Sequence, residues 1–356
     1  MSELTLLNGP VWLAPHVREA MAGPMCDVRH PRFRDAYDVC RAGVRELLDA
    51  PDHGVVLAAG SGTFGVELVL RSVLAGERVL AAVAGAYGER MARIAELAGG
   101  RVTRVTAPLG AVVSPAALDE ALTRMRHDFV LLVHVEPSTG TQLDLSGLAQ
   151  VCRRHGAIPI VDAVCSAFAV ELSCAIDGLG AVITASQKGL SLPPGLAVCA
   201  VSPELVARAR HVPPERTGLY GRLESWLGPM MFTPPVAHVF ALEASLAHIR
   251  AETLALRARR HADSARRVHA WARAPGVRRV VADDAAAAHT LTALYYPGGR
   301  DDAWLTDLRD RHGLELAPAN DARLTGQGFR IGHLGDLPPE HLEAALAVLD
   351  RALVQP

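Results

Sequence analysis

Lysine is almost missing from this 356-residue sequence, where 36 residues are Lys or Arg but only Lys188 is a lysine. Aromatic residues make up 4% of the chain, so its core must be built from Ala, Val and Leu. Neither sign of charge dominates. A formal net charge of -2 gives no electrostatic reason to expect nucleic acid or an anionic membrane as partner. No uninterrupted apolar run reaches the roughly 20 residues of a membrane helix. The opening MSELTLLNGP has neither a basic nor an apolar leader region, so no signal peptide is expected and a cytoplasmic location is. The six cysteines form no CxxC pair and no Cys/His grouping with zinc spacing, which argues against a metal site. They read as free buried thiols in a reducing compartment.

Half the residues are hydrophobic, the balance of a globular protein. Short β-branched runs alternate with helix-length segments from Val55 onward: Val55–Ala59, Val79–Val83, Val102–Val105, Phe129–Val135, Ile158–Val161, Val182–Thr184 and Leu196–Val201. Helices are expected over Gly65–Leu74, Glu89–Leu97 and Leu145–His155, and from Pro115 with Ser114 as N-cap. Continuous apolar strands separated by helices imply an α/β fold with a mostly parallel seven-stranded sheet covered on both faces. Residues 211–235 are rich in Pro and Gly and read as an irregular connection. One or two long helices should follow, then a smaller C-terminal α/β unit with strands at Thr290–Tyr296 and Phe329–Ile331 and a closing helix from Pro339.

Sites of such sheets lie beyond the carboxyl ends of the strands, which selects the polar residues of interest. Gly60-Ser61-Gly62-Thr63-Phe64-Gly65 follows a strand and opens a helix, in the GxGxxG pattern of dinucleotide sites. The acid that should end the next strand is missing, because that strand runs into Ala84-Gly85. A single phosphate therefore suits this turn better than a pyrophosphate, and a plain structural turn stays open. Asp162 ends the Ile158–Val161 strand, where a lone carboxylate suits a buried cation such as a protonated pyridine. Lys188 follows Val182–Thr184. A chain that uses arginine everywhere else needs an amine there, because guanidinium forms no Schiff base.

These motifs resemble the class V, fold-type I pyridoxal-phosphate aminotransferases. The likeness is greatest to those acting on 2-aminoethylphosphonate with pyruvate and on alanine with glyoxylate. Gly60-Ser61-Gly62-Thr63-Phe64 and Gly85-Ala86-Tyr87-Gly88 are similar to the phosphonate branch; Ser186-Gln187-Lys188 and Leu192-Pro193-Pro194-Gly195 are similar to the alanine branch. The resemblance implies pyridoxal phosphate as cofactor, with Ser61, Gly62, Thr63 and Gln187 on its phosphate and Tyr87 and Val164 against its ring. It further implies Asp162 on the ring nitrogen and Lys188 as Schiff-base lysine and general base. Phe232-Thr233-Pro234-Pro235 resembles the segment whose threonine, here Thr233, reaches a neighbouring subunit's phosphate, hence a homodimer with shared sites. Arg330 in Phe329-Arg330-Ile331-Gly332 would grip the substrate's acidic group, near Asn8-Gly9-Pro10, and the partners would be an amino donor and a 2-oxo acid. Where the family commonly has Ser or Thr on the cofactor's phenolic oxygen, this chain has Pro137; Ser138 and Thr139 are the candidates for that contact. By the same resemblance residues 15–245 form the cofactor domain, and 1–14 with 246–356 the small one.

The expected reaction is amino transfer from an aminophosphonate or small amino acid to pyruvate or glyoxylate. A lyase on the same frame and, resting on GxGxxG, a nicotinamide dehydrogenase are the alternatives. A desulfurase is disfavoured, because the last cysteine is Cys199. Glu136 ends a core strand and could be catalytic, but a structural hydrogen-bonding role is the favoured reading. His30 is either a residue of the substrate mouth or a solvated loop residue. Tyr220 and Arg222 could form a lid or cap a dimer surface, and the arginines of 250–273 a solvated helix face.

Overall fold

The computed structural model describes residues 4–354. Seven strands form the large sheet: β1 (Gly54–Ala59), β2 (Arg78–Val83), β3 (Arg101–Thr106), β4 (Phe129–Val133), β5 (Ile158–Asp162), β6 (Ala181–Ala185) and β7 (Leu196–Val201). Their spatial order is β1-β7-β6-β5-β4-β2-β3, and only β7 runs antiparallel to its neighbours. The expected mostly parallel sheet is thus what the chain builds.

Alternation along each strand splits the interior into two cores. Val55, Leu57, Leu80, Val130, Leu132, Val182 and Val198 face one layer, which contains α1 (Pro31–Leu47). Val56, Ala58, Val79, Leu131, Ile160, Ile183 and Cys199 face the other, against α2 (Gly62–Val73) and α3 (Ala86–Leu97). On the first side lie also α4 (Pro115–Arg124), α5 (Leu145–His155) and α6 (Val236–Glu252). Each fully buried Val or Leu contributes on the order of 2 kcal/mol, so covering both faces fixes strand register. Five of the six free cysteines are buried, and Cys26 is half-buried.

The long proline-free stretch is two helices, α6 and α7 (Leu254–Trp271), joined at Thr253. Thr253 has φ +68°, and its hydroxyl accepts from Leu256 N–H to start the second helix. Beyond it, β8 (Arg278–Arg279), β9 (Leu291–Tyr295), β10 (Ala317–Pro318) and β11 (Gly328–Gly332) form an antiparallel sheet ordered β8-β9-β11-β10. A third core joins this sheet to α7 and to α8 (Pro339–Val354) through Val268, Leu294, Phe329, Ile331 and Leu349. The N-terminal residues Leu4–Thr5 pair with Leu314–Glu315, and Leu6 enters the same core. Among the described residues, no helix is long and apolar enough to cross a membrane.

Three boundaries differ from expectation by two residues or more. Helices α2 and α3 begin three residues early, at Gly62 and Ala86. The strand expected over Phe129–Val135 stops at Val133; His134 N–H bonds Asp162 O, and Val135–Glu136 turn into a small hairpin with Thr141–Gln142. That turn carries Pro137, Ser138 and Thr139 to the end of the sheet.

Candidate active site

A cavity of about 190 Å³ opens at the carboxyl ends of β1, β2, β4, β5 and β6. Gly9, Ser61, Gly62, Thr63, Tyr87, Asp162, Val164, Gln187 and Lys188 all line it. It is too small for a dinucleotide, and β2 ends without the acid a ribose would need.

The Ser61 hydroxyl caps α2 by accepting from Phe64 N–H at 3.3 Å. The Gly62 and Thr63 N–H groups precede the first intrahelical bonds and, with the helix dipole behind them, could receive an anion. A Cβ on Gly62 would stand 2.7 Å from a Val164 methyl, so glycine lets this turn lie against the Val164 wall. The carboxamide of Gln187 reaches the same cavity, and its buried oxygen has no partner among the described residues.

Tyr87 is held by the start of α3. The Glu136 carboxylate, brought there by the hairpin, accepts from Tyr87 N–H and from Gly88 N–H at 2.9 Å. Ser138 donates its hydroxyl to that carboxylate and accepts from Ala86 N–H. Glu136 is therefore the structural acid expected from the sequence: it caps a helix whose own sequence offers no cap at Gly85. The Tyr87 hydroxyl accepts from the Asn320 amide at 3.2 Å, and the Arg90 guanidinium lies 4.4 Å from its ring centre.

Asp162 is the last residue of β5; it is buried, and Oδ1 accepts from Val164 N–H at 2.9 Å. Burial pushes its carboxyl up to about 6, the Val164 N–H opposes this, and Glu136 adds to it. A cation beside it would reverse that rise. Lys188 donates its ammonium to the Asn8 carbonyl. Gly9 packs flat on the lysine stem, where a Cβ would stand 2.5 Å from Cε. Cys165 also lies beside Lys188, and burial raises its thiol.

Arg330, in β11, is buried just outside this wall. Nη1 donates to the carbonyl of Pro137, itself a wall residue, and Nε to Pro318 O. Burial lowers its guanidinium pKa, partly offset by the nearby Tyr87 hydroxyl. Asn8 offers the site its backbone carbonyl.

Thr139 is fully buried, its hydroxyl pairs with that of Thr141, and it is not among the residues lining the cavity. Ser138 donates to Glu136 and accepts from Ala86 N–H, so its hydroxyl is already engaged. Thr233 stands exposed and away from this chain's own cavity. His30 is the N-cap of α1, accepting from Arg32 N–H at 3.2 Å, and lies apart from the site. Tyr220 joins an aromatic cluster with Phe64, Trp226 and Phe232, and Arg222 pairs with Glu224.

Arg90 and Cys165 line the cavity and were not selected from the sequence. A signal for Arg90 did exist, since a residue three after Tyr87 on a helix shares its face.

An anion turn, an aromatic ring, a buried carboxylate, an amine and an orphaned carboxamide around one small cavity fit pyridoxal phosphate. The family model for aminotransferase class-V matches residues 20–317. The chain is 31% identical to L-aspartate–glyoxylate aminotransferase of Paracoccus denitrificans, over 93% of this chain and 86% of that relative. It is 30% identical to the soluble hydrogenase small subunit of Synechococcus sp., over 99% and 93% of the two chains. Of solved structures, ureidoglycine–glyoxylate aminotransferase from Bacillus subtilis superposes with a TM-score of 0.93 at 26% identity, covering 98% of this chain and 92% of that one.

Proposed function

The chain belongs to the class-V aminotransferase family, and from that premise we propose that it moves an amino group from a small amino acid or aminophosphonate to a 2-oxo acid such as pyruvate or glyoxylate. Aminotransferases of this family work with pyridoxal phosphate, which supplies an electron-withdrawing ring that stabilises negative charge on the amine-bearing carbon. The observation that carries the reading is Lys188, the sole lysine of the chain, in one small cavity with Asp162.

In this reading Ser61, Gly62, Thr63 and Gln187 hold the phosphate, Tyr87 and Val164 bound the ring, and Asp162 faces the ring nitrogen as a carboxylate. Pro137 leaves the phenolic oxygen without a side-chain donor at that position. Lys188 moves the proton at the amine-bearing carbon through Nζ, kept in place by the Asn8 carbonyl and the flat Gly9 surface. Arg330 binds the acidic group of donor and acceptor in turn through its fork of N–H donors, releasing the Pro137 carbonyl to do so. That grip orients the C–H bond for Lys188.

The division we favour sets residues 15–245 as the cofactor unit, and 1–14 with 246–356 as the unit carrying Arg330; the pairing of Leu4–Thr5 with Leu314–Glu315 supports it. We also favour a homodimer in the cytoplasm in which a second copy's Thr233 completes the phosphate site. The exposure of Thr233, together with Leu219 and Met231, supports it.

A panel of L-alanine, L-aspartate and 2-aminoethylphosphonate, each with pyruvate or glyoxylate, tests the function. Exchange of amine for ketone is the expected result. Ammonia release without a new amino acid would make the protein a lyase and overturn the reading.

A further inference from the structure

Arg257 is the largest fully buried side chain among the described residues, and nothing in the amino-transfer chemistry uses it. It projects from α7 into the space between the large sheet's loops and the segment that follows β11. Nε donates to Phe168 O at 2.7 Å and Nη2 to Gly189 O at 2.8 Å. Nη1 donates to Glu252 Oε2 at 2.7 Å and to Asp336 Oδ1 at 2.6 Å. Four of its five N–H donors are thus engaged, with two carboxylates meeting one guanidinium.

The acceptors are not random. Gly189 is the residue after Lys188, Phe168 lies six residues beyond Asp162, and Asp336 lies six beyond Arg330. Further bonds tighten the same junction. Ser191 N–H closes a turn on the Lys188 carbonyl at 2.8 Å, and the Ser191 hydroxyl accepts from Asp336 N–H at 3.0 Å. His261, one turn along α7, accepts from Gly335 N–H at 3.0 Å, and Arg260 donates to Gly335 O. Both anchored turns carry a non-glycine residue in the left-handed region, Phe168 at φ +61° and Ser191 at φ +57°. Such a conformation persists only where its surroundings over-determine it. A Cβ on Gly189 would stand 2.1 Å from Ala167 O, so the two turns also lie backbone against backbone.

We infer that Arg257 is a positioning residue: by holding the Gly189 and Phe168 carbonyls and the Asp336 carboxylate at once, it sets where the Lys188 amine stands relative to the acid-gripping Arg330. This rests on Lys188 and Arg330 acting as proposed above. A lysine cannot reproduce it, because one ammonium cannot reach four acceptors arranged for a planar fork.

The test compares Arg257→Lys with wild type in two ways. In the cofactor-free protein, hydrogen exchange of the amides of 189–192 and 335–336 should speed up at least tenfold in the variant, while those of β4 and β5 stay unchanged. In the loaded enzyme, with the donor chosen by the panel, kcat should fall by about a hundredfold, the usual consequence of an ångström-scale misplacement. KM for the 2-oxo acid should stay within threefold. The isotope effect from deuterium on the amine-bearing carbon should rise, because proton transfer through Lys188 becomes limiting; a purely structural residue would not change it. If Arg257→Lys fails to fold, Ser191→Ala, which removes the acceptor for Asp336 N–H, must give the same pattern at smaller amplitude. Unchanged exchange in the cofactor-free variant, or a fall in kcat with an unchanged isotope effect, overturns the inference even if amino transfer stands. Absence of transfer by wild type with every donor overturns the aminotransferase reading instead, whatever the exchange data show.

Discussion

Replacing Asp162 with Asn should make the cofactor-free protein more stable and the enzyme far worse. Burial raises this carboxyl from 3.8 to about 6. Carrying it ionised at neutral pH therefore costs the fold roughly 3 kcal/mol at most. An acid whose folded pKa is raised binds its proton more tightly when folded, so its destabilising effect develops as pH climbs from about 4 through 6 and is complete above that. Asparagine keeps an oxygen for Val164 N–H and carries no charge, which removes the penalty. Urea midpoints of the cofactor-free proteins should converge below about pH 4 and separate in favour of Asp162→Asn by pH 7.5. In the loaded enzyme the order reverses, since the variant has no charge to set against the ring nitrogen. Its kcat should drop by about a hundredfold or more, the scale of losing one preorganised electrostatic contact. A variant less stable than wild type at pH 7.5, or one with no pH-dependent gap, would refute the argument.

Three further outcomes follow from the geometry. Gly9→Ala puts a Cβ 2.5 Å from the Lys188 stem at a backbone φ of +128°, so activity should fall at least about tenfold, read as kcat/KM. Arg330→Lys keeps the charge but loses the fork, and should raise KM for the 2-oxo acid about 10- to 100-fold in steady-state kinetics. His134 and His333 are buried neutral, with burial lowering them to about 4 and about 3. Their contribution is complete above pH 6.5 and is lost as pH falls towards those values. Each should therefore cost roughly 3 kcal/mol by pH 4, visible as a steep acid-side fall in the wild-type unfolding midpoint.

Much of this was legible in the sequence because the large sheet is buried on both faces. Continuous runs such as Val55–Ala59 and Phe129–Val133 show strands wherever they occur, and the residues just past them became the cavity wall. The lone lysine needed only counting. What failed depended on distant partners. The start of α3 lies at Ala86 because Glu136, some fifty residues on, caps it, and no local residue at Gly85 signals that. The hairpin that pairs Thr139 with Thr141 has no local sequence signal either. Arg257 is one arginine in a helix full of them; Glu252 is near it in sequence, but only folding brings residues 168, 189 and 336 around it. The expectation that the arginines of this stretch form a solvated face fails at Arg257 for that reason.

The central claim is that Lys188 bonds the cofactor, and a chain with a single lysine makes it unusually direct to check. The protein is loaded with pyridoxal phosphate, reduced with borohydride, digested and weighed by mass spectrometry, alongside Lys188→Ala treated identically. The account predicts one reduced cofactor adduct, on the peptide containing Lys188, together with a visible absorbance band that the Ala variant lacks. An adduct elsewhere, or an unchanged visible band in Lys188→Ala, would contradict it.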